Sequence, residues 1–269
     1  MTDELFDLRD RVVVITGGLG QLGQQFARAL AWRGARVAIL DSAIQAFEIV
    51  TDARSQATIL HVPGDVTHRE SLESALAQVT AHWGTPFALI NNAALDSPPN
   101  APPSENGPFE SYPEASWDRV MEVNVKGVFQ CCQVFGGAMA DAGRGSIINI
   151  ASIYGLVSPD QRLYEYRRMQ GEPFYKPAAY AVSKSALLNL TRYLATYWAP
   201  RSVRVNTVTF GGVYRNQAPE FLQGYSARVP LGRMAREDEY NGAIVFLVSD
   251  ASSYMTGSNM ILDGGWTAW

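Results

Sequence analysis

Ser152, Tyr180 and Lys184 are three residues whose side chains could do acid–base chemistry together. Tyr180 and Lys184 are four positions apart, so on a helix they share one face. A lysine ammonium placed there would favour tyrosinate and lower the tyrosine pKa towards working pH. Ser152 ends an apolar, strand-like run and could hydrogen-bond the same substrate oxygen, or it could simply cap the strand. This set fits hydride transfer between a nicotinamide and an alcohol or ketone.

A glycine-rich turn, TGGLGQLG, runs from Thr16 to Gly23 between a strand-like and a helix-like segment. That context is the one a dinucleotide-binding turn requires. Gly17 permits the tight turn, Gly20 or Gly23 lets backbone and phosphate approach, and the helix N-terminus favours the pyrophosphate charge. A purely structural turn is the alternative, and the flanking strand and helix favour the functional interpretation.

Two acidic residues that follow later strands are candidates for binding the adenosine half of a dinucleotide. Asp41 closes the second strand, where a carboxylate can hydrogen-bond ribose hydroxyls and would repel a 2′-phosphate. Its neighbour Ser42 adds no positive charge, so NAD is predicted rather than NADP. Asp65 and Val66 could bracket the adenine, although Asp65 could equally be a turn residue.

The elements that position these residues alternate along the chain as strand and helix, with helix-length crossovers. This order predicts one α/β domain over residues 1–269: a Rossmann-type, doubly wound parallel sheet of about seven strands with helices on both faces. The second helix is expected over residues 43–54, and longer helices over residues 114–139 and 178–199. Three active-site loops are expected, at about residues 95–113, 156–178 and 211–234.

Composition excludes several classes of protein. Hydrophobic residues make up 47% and charged residues 18%, which is typical of a soluble globular chain. A net charge of −4 gives no sign of a nucleic-acid surface. The cysteines and histidines lack disulfide or metal-ligand spacing, and neither a signal peptide nor a membrane-length apolar run is visible. We therefore expect a cytoplasmic protein with a small-molecule substrate, and with no metal, membrane or nucleic-acid partner.

The order of these motifs resembles the short-chain dehydrogenase/reductase family over almost the whole chain. The likeness also includes NNAA at Asn91 to Ala94, Asn124 in EVNVKG, and the closing TGSNMILDGG. It implies that Tyr180 is the general acid/base, that Lys184 tunes its pKa and binds ribose, that Ser152 orients the carbonyl, and that Asn124 holds a water in a proton relay. It implies cofactor contacts from Gly17, Gly20, Gln21, Leu22, Gly23, Asp41, Asp65, Val66, Asn92, Ala93, Tyr180, Lys184, Gly211 and Val213. By the same analogy the chain is expected to form a homodimer or homotetramer through the helices that begin near Glu114 and Ala178.

Two departures from the compact branch of the family bear on cofactor and substrate. Gln21 gives the turn the spacing TGxxGxxG, which fits the branch that acts on nucleotide sugars, although the ending DGG belongs to the compact branch. Ser152 and Tyr180 are also separated by a longer insert than compact members usually have. The insert and a later loop offer arginine forks for anions and amide or phenol groups for hydroxyls, and the candidate substrate residues are Tyr164, Arg167, Arg168, Arg215, Asn216 and Gln217.

These features predict an NAD(H)-dependent oxidoreductase acting on a secondary alcohol or ketone, with a sugar or sugar phosphate as substrate. The insert also resembles dehydrogenases of surface-glycan and flagellin sugar pathways. One alternative is a reductase of 3-oxoacyl or other apolar ketones, and another is an NAD-binding sensor or scaffold without turnover. A further alternative is that the insert packs against a neighbouring subunit and not against substrate.

Overall fold

The computed structural model describes residues 4–52, 58–96 and 103–269. An eight-stranded sheet forms its centre, with strands β1 (Val12–Thr16), β2 (Arg36–Asp41), β3 (Glu48–Thr51), β4 (Thr58–Pro63), β5 (Ala88–Asn91), β6 (Gly145–Ser152), β7 (Val203–Phe210) and β8 (Asn259–Leu262). The spatial order is β3-β4-β2-β1-β5-β6-β7-β8. Neighbouring strands pair in parallel except β3, which runs antiparallel to β4.

The α-helices are α1 (Gln21–Ala31), α2 (Arg69–Trp83), α3 (Glu114–Met121), α4 (Val128–Cys131), α5 (Gly137–Asp141), α6 (Glu165–Met169), α7 (Ala178–Trp198), α8 (Pro219–Ser226) and α9 (Asn241–Val248). Two π-helical segments, Glu122–Gly127 and Cys132–Gly136, join α3, α4 and α5 into one continuous helical stretch. Short 3₁₀ helices lie at Glu4–Phe6, Pro103–Asn106, Phe109–Ser111, Ile153–Gly155, Gln161–Tyr164, Ala199–Arg201 and Asp250–Ser252.

The central strands are buried and mostly apolar because both faces of the sheet are covered. All residues of β1 and β6 are buried. Helices α1 and α9 pack on one face, and α2, α4 and α7 pack on the other. A parallel sheet buried on both faces needs such continuous apolar strands. The predicted single-domain, doubly wound fold is confirmed.

The strand order reverses between β1 and β5. From β1 the chain adds β2, β4 and β3 on one side, and then crosses to add β5 through β8 on the other. In a doubly wound sheet, this reversal opens a crevice at the carboxyl ends of the two central strands. Thr16 and Asn91 end those strands, so the crevice lies beside the glycine-rich turn and the NNAA segment.

The helix predicted over residues 43–54 is wrong. The chain there forms β3, which pairs with β4 and supplies the eighth strand at the edge of the sheet. Ile49, Val50 and Thr51 are β-branched, and such residues favour an extended backbone when a strand edge is available. Residues 53 and 54 of the predicted helix lie outside the described residues.

The predicted loops contain more regular structure than expected. The segment over residues 211–234 includes α8, which begins with Pro219, where a missing N–H costs nothing. The insert over residues 156–178 contains the 3₁₀ helix Gln161–Tyr164 and then α6. In the predicted loop at residues 95–113, positions 97–102 lie outside the described residues, and short 3₁₀ helices follow them.

A chain of buried polar side chains crosses the sheet and reaches α7. Asn91 Nδ2 donates to Asn149 Oδ1 at 2.8 Å, and Asn149 Nδ2 donates to Thr191 Oγ1 at 2.8 Å. Thr207 Oγ1 also donates to Thr191 Oγ1, at 2.7 Å. Because buried polar groups need partners, these bonds connect β5, β6, β7 and α7 through their side chains as well as through backbone pairing.

Candidate active site

A cleft of about 650 Å³ lies at the carboxyl edge of the sheet. Ser152, Tyr180 and Lys184 line it together with residues of the glycine-rich turn. The end of β6 supplies Ser152, and α7 supplies Tyr180 and Lys184 on one helix face. Residues far apart in the sequence therefore meet where the strand order opens the crevice.

Lys184 is a buried lysine with one fixed hydrogen bond. Its Nζ donates to the backbone oxygen of Ile150 at 2.7 Å, and it lies 5.8 Å from the centre of the Tyr180 ring. Burial lowers the pKa of Lys184 to about 8, and the Asp96 carboxylate opposes this fall. The ammonium is therefore held beside the tyrosine at a cost in desolvation.

Burial raises the pKa of Tyr180, and the charge of Asp96 raises it further. A hydrogen bond with Ser152 acts in the opposite direction. This is the reverse of the lowering predicted from the Tyr180–Lys184 spacing. Removal of the phenol from water is the largest cause, and the Lys184 ammonium donates its described hydrogen bond to Ile150 O and not to the phenol.

Ser152 has a capping role, and its contact with a substrate oxygen stays a prediction. Its Oγ accepts a hydrogen bond from the backbone N–H of Tyr154 at 3.3 Å, which caps the 3₁₀ helix Ile153–Gly155. The same side chain hydrogen-bonds Tyr180. A serine hydroxyl can accept and donate at once, so capping leaves its hydrogen for a ligand or for Tyr180.

Asn124 lies in the first π-helical segment and is buried. Its Oδ1 accepts from Leu95 N at 2.7 Å, and its Nδ2 donates to Leu95 O at 2.8 Å and to Ser183 Oγ at 2.9 Å. Both amide hydrogens are thus engaged with protein atoms, and Ser183 in turn donates to the Tyr180 carbonyl. Asn124 braces the segment after β5 against α7, and its contact with a water stays a prediction.

The glycine-rich turn has the geometry that its sequence predicted. Gly17 has φ of +63°, and a Cβ there would lie 2.7 Å from Ala93 Cα. A Cβ on Gly23 would lie 2.5 Å from Gly17 O, so Gly23 allows α1 to pack against the turn. Asn92 Nδ2 donates to the carbonyls of Thr16 and Gly17 at 3.1 and 3.0 Å. Asn92 therefore supports the turn, and so does Thr16, whose Oγ1 accepts from the Asn92 and Ala93 N–H groups.

The turn and Asp41 together fit a dinucleotide. Gly20 precedes α1, and Gln21 and Leu22 in its first turn line the cleft, where the N–H groups of a helix start can bind phosphate. Asp41 Oδ2 accepts from Leu19 N and Oδ1 from Ala43 N, both at 3.1 Å. Each oxygen can accept a second hydrogen bond, as a ribose diol requires.

Of the remaining predicted cofactor residues, some line the cleft and others do not. Asp65 Oδ1 accepts from the N–H and hydroxyl of Thr67, which is the turn role considered for it. Val66 is buried against Gly127. Gly211 and Val213 line the cleft. Gly211 sits so close to Asp263 that a Cβ would lie 2.9 Å from its Cα, so the loop after β7 passes near the cleft without a side chain there.

The candidate substrate residues divide into two groups. Tyr164, Arg167, Arg215 and Gln217 line the cleft. Arg168 lies outside the lining, because its guanidinium donates to the carbonyls of Phe174 and Gln161 at 2.9 Å each. Asn216 is an exposed turn residue with φ of +53°, also outside the lining. The geometry does not support Arg168 and Asn216 as substrate-binding residues.

Three cations around the cleft are paired with carboxylates. Arg167 lies 2.6 Å from Glu172 and stacks over Phe174. Lys176 pairs with Asp96, and Arg228 lies 2.8 Å from Asp160. Such pairing offsets the charge of these three cations, so Arg215 and Lys184 are the cleft-lining cations without a described carboxylate partner.

Several residues of the cleft were missed from the sequence. Asp96 and Lys176 line it, as do aromatic side chains from the insert and from the segments near it: Tyr154, Tyr166, Phe174, Phe221 and Tyr225. One signal could have identified Lys176, because the chain has only three lysines and the same scarcity marks Lys184. Asp96 gave no comparable signal.

Within the part of the chain that the structure describes, no cluster of three or more histidine, cysteine or acidic residues could hold a metal ion. No described helix is both long and apolar enough to cross a membrane. A cytoplasmic location stays a prediction.

Comparisons with known proteins agree with this architecture. A family profile described as enoyl-(acyl carrier protein) reductase matches residues 20–267. The chain is 30% identical to an NAD-dependent glycerol dehydrogenase of Listeria innocua over 98% of this chain and 97% of the relative. It is 31% identical to a galactitol 2-dehydrogenase (L-tagatose-forming) of Cereibacter sphaeroides over 98% of both. The crystal structure of a short chain dehydrogenase from Leptospira borgpetersenii with bound NAD⁺ superposes with a TM-score of 0.84, at 31% identity over 99% of this chain and 96% of that one.

Proposed function

The chain belongs to the short-chain dehydrogenase/reductase family and is a nicotinamide-dependent oxidoreductase, and we propose that it interconverts a neutral polyol or sugar and its ketone with NAD(H). The observation that carries this proposal is the meeting of Ser152, Tyr180 and Lys184 in one cleft with the glycine-rich turn. The two polyol dehydrogenases to which the chain is similar support the substrate class.

The side chains of the cleft suit the two halves of this reaction. Bound NAD(H) would accept or supply the hydride. Ser152 Oγ would donate a hydrogen bond to the reacting oxygen, and Tyr180 would take the alcohol proton in oxidation or return it in reduction. Lys184, anchored on Ile150, would offset the negative charge of the phenolate. Because burial raises the pKa of Tyr180, the neutral phenol is the form ready to act as an acid.

The surroundings of Asp41 support NAD over NADP as the cofactor. Both of its oxygens face backbone N–H groups at the end of β2, and no described basic side chain forms an ion pair with it. A ribose diol can add its hydroxyl hydrogens to this carboxylate, whereas a 2′-phosphate would meet a like charge.

The paired cations favour a neutral substrate over a sugar phosphate. Arg167 and Lys176 both line the cleft, and each is already matched by a carboxylate. Such ion pairs offer donors and acceptors side by side, which suits hydroxyl groups. Arg215, exposed at the cleft, forms no described ion pair and would be the remaining contact for an anion.

A substrate panel tests this proposal. Purified protein is assayed with NAD⁺ and NADP⁺ on glycerol, galactitol, a sugar phosphate and, in reverse, a 3-oxoacyl thioester, with NAD(P)H absorbance as the readout. We expect turnover of a polyol with NAD⁺, and weaker turnover of phosphorylated compounds. Activity confined to the thioester would replace the polyol proposal with acyl reduction. Tight NADH binding without turnover of any compound would favour a sensor or scaffold.

We also infer that two or four copies assemble through the α3–α5 stretch and α7. Apolar or aromatic side chains on these elements are exposed, including Phe129 at 46%, Tyr193 at 63% and Tyr197 at 64%. Met121, Val125 and Leu190 line a groove next to Phe129. Light scattering should give a dimer or tetramer, and Phe129→Glu should lower that mass; a monomeric wild type would contradict the inference.

A further inference from the structure

A second lysine lies beside the reacting groups. Lys176 belongs to the insert, just before α7, and its Nζ contacts both carboxylate oxygens of Asp96, in the segment after β5. The Lys176 side chain is 11% exposed and that of Asp96 is 59% exposed. The pair therefore joins two segments over the cleft, with the cation on the inside and the carboxylate at the mouth.

This pair is close to Tyr180. The Lys176 Nζ lies 5.1 Å from the centre of the Tyr180 ring, and Lys184 Nζ lies 5.8 Å from the same centre. The Asp96 charge raises the pKa of Tyr180 and of Tyr154. A ligand group held by the pair would therefore lie beside the Tyr180 side chain.

The insert holds Lys176 in place through its backbone. Lys176 N donates to Gln161 Oε1 at 2.9 Å, and Gln161 Nε2 donates back to Lys176 O at 3.1 Å. Arg168, which lies outside the cleft lining, donates to Gln161 O and so supports the same corner. These hydrogen bonds fix the backbone of Lys176 and therefore the point from which its ammonium group extends.

We propose that Asp96 and Lys176 bind a hydroxyl group next to the reacting carbon, so that the enzyme selects vicinal diols over simple secondary alcohols. The inference rests on the proposed polyol activity. A hydroxyl donates one hydrogen bond and accepts others, so it can bridge the paired ions by donating to the Asp96 carboxylate and accepting from the Lys176 ammonium. An apolar group at that position would make neither hydrogen bond, and an anionic group would be repelled by Asp96.

The test compares two ring alcohols that differ by one hydroxyl, cyclohexanol and cis-1,2-cyclohexanediol, in wild type, Asp96→Asn and Lys176→Met. In wild type we expect kcat/KM to be higher for the diol. In each variant, the ratio of kcat/KM for the diol to kcat/KM for cyclohexanol, both measured on the plateau of that variant's own pH profile, should fall by about 10- to 100-fold, mostly through KM for the diol. Arg162→Gln, which alters an exposed cation of the same insert outside the cleft lining, is the matched control and should change neither value.

The pH profile gives a readout that loss of packing would not produce. Among the residues that the structure describes, the charged and titratable groups that face Tyr180 are Asp96, Lys176, Lys184 and Tyr154. Asp96→Asn removes the negative charge that raises the Tyr180 pKa, so the rise of alcohol oxidation with pH should move to lower pH. The conservative variants Asp96→Glu and Lys176→Arg, together with Tm values, separate charge effects from misfolding.

The outcomes distinguish this inference from the proposed function. If wild type oxidises polyols with NAD⁺ but the variants lose diol and cyclohexanol activity equally, the pair only stabilises the cleft and the inference is wrong. It is also wrong if the variants change neither substrate, or if a secondary alcohol carrying a carboxylate outperforms the diol in wild type. If wild type oxidises no polyol at all, the proposed function itself fails.

Discussion

Lys184→Met should make the protein more stable and inactive at the same time. The methionine has a similar length and no charge, so it removes the desolvation cost of a buried ammonium. The pKa of Lys184 falls from 10.5 to about 8 on folding, which corresponds to about 3 kcal/mol at about 1.4 kcal/mol for each tenfold change in proton affinity. Losing the hydrogen bond to Ile150 O removes about 1 to 2 kcal/mol of this gain.

The net expectation at pH 7 is that the variant gains about 1 to 2 kcal/mol in free energy of unfolding, or about 2 to 8 °C in Tm. Arg201→Met, which removes an exposed cation with 56% of its side chain accessible, is the control and should change stability by less than about 0.5 kcal/mol. The assays are urea unfolding and thermal melting, at protein concentrations that keep the oligomeric state fixed.

The pH dependence of the difference provides the sharper test. A folded-state pKa below the unfolded value means that between pH about 8 and 10.5 the unfolded chain binds the proton and the folded chain does not. Wild-type stability attributable to Lys184 therefore rises with pH through this window, while the variant lacks that rise. The advantage of Lys184→Met should be full below pH 8 and should have disappeared by about pH 9.5. A variant that is less stable than wild type at every pH would refute the assignment of Lys184 as a costly buried cation.

Three further substitutions test the other parts of the site. Tyr180→Phe should reduce kcat by at least about 100-fold while the Kd for NADH changes less than about twofold. Alcohol oxidation by wild type should rise with pH, because burial raises the Tyr180 pKa. Substantial turnover by the variant, or a wild-type rate that falls with pH, would contradict the role of the phenol. Asp41→Asn should raise kcat/KM for NADP⁺ by about tenfold and lower that for NAD⁺, and an unchanged ratio would remove Asp41 from cofactor selection. Gly17→Ala should lower the free energy of unfolding in urea by at least about 2 kcal/mol and weaken NADH binding, because its Cβ would lie 2.7 Å from Ala93 Cα at φ of +63°. Gly137→Ala is the control: its Cβ would meet no described neighbouring atom within 4 Å, so it should be neutral or slightly stabilising.

Local patterns were sufficient to predict most of the fold and the centre of the site. The spacing of Tyr180 and Lys184 depends on helix geometry alone, and the glycine-rich turn depends on a strand followed directly by a helix. Such features are encoded within a few consecutive residues. The error at β3 has the opposite origin, since Ile49 and its neighbours take their extended form from pairing with β4.

Charge pairing could not be predicted in this way. Asp96 and Lys176 are 80 positions apart. They come into contact only when the chain folds and brings the segment that follows β5 against the insert. The same holds for Arg168, whose guanidinium is used by two carbonyls of the insert. The sequence shows that a residue can bind an anion, whereas the folded structure shows whether its charge is already matched.

The buried chain from Asn91 to Thr207 has a consequence for how accurately the catalytic helix is placed. Thr191 lies two helical turns beyond Lys184 on α7, and it receives hydrogen bonds from both β6 and β7. A slip of α7 by one residue would leave buried hydroxyl and amide groups without partners, at about 1 to 3 kcal/mol each. An apolar seam would tolerate such sliding, because one aliphatic contact can replace another. These polar contacts therefore fix the register of α7 on the sheet, and with it the position of Tyr180 and Lys184 above the strand ends.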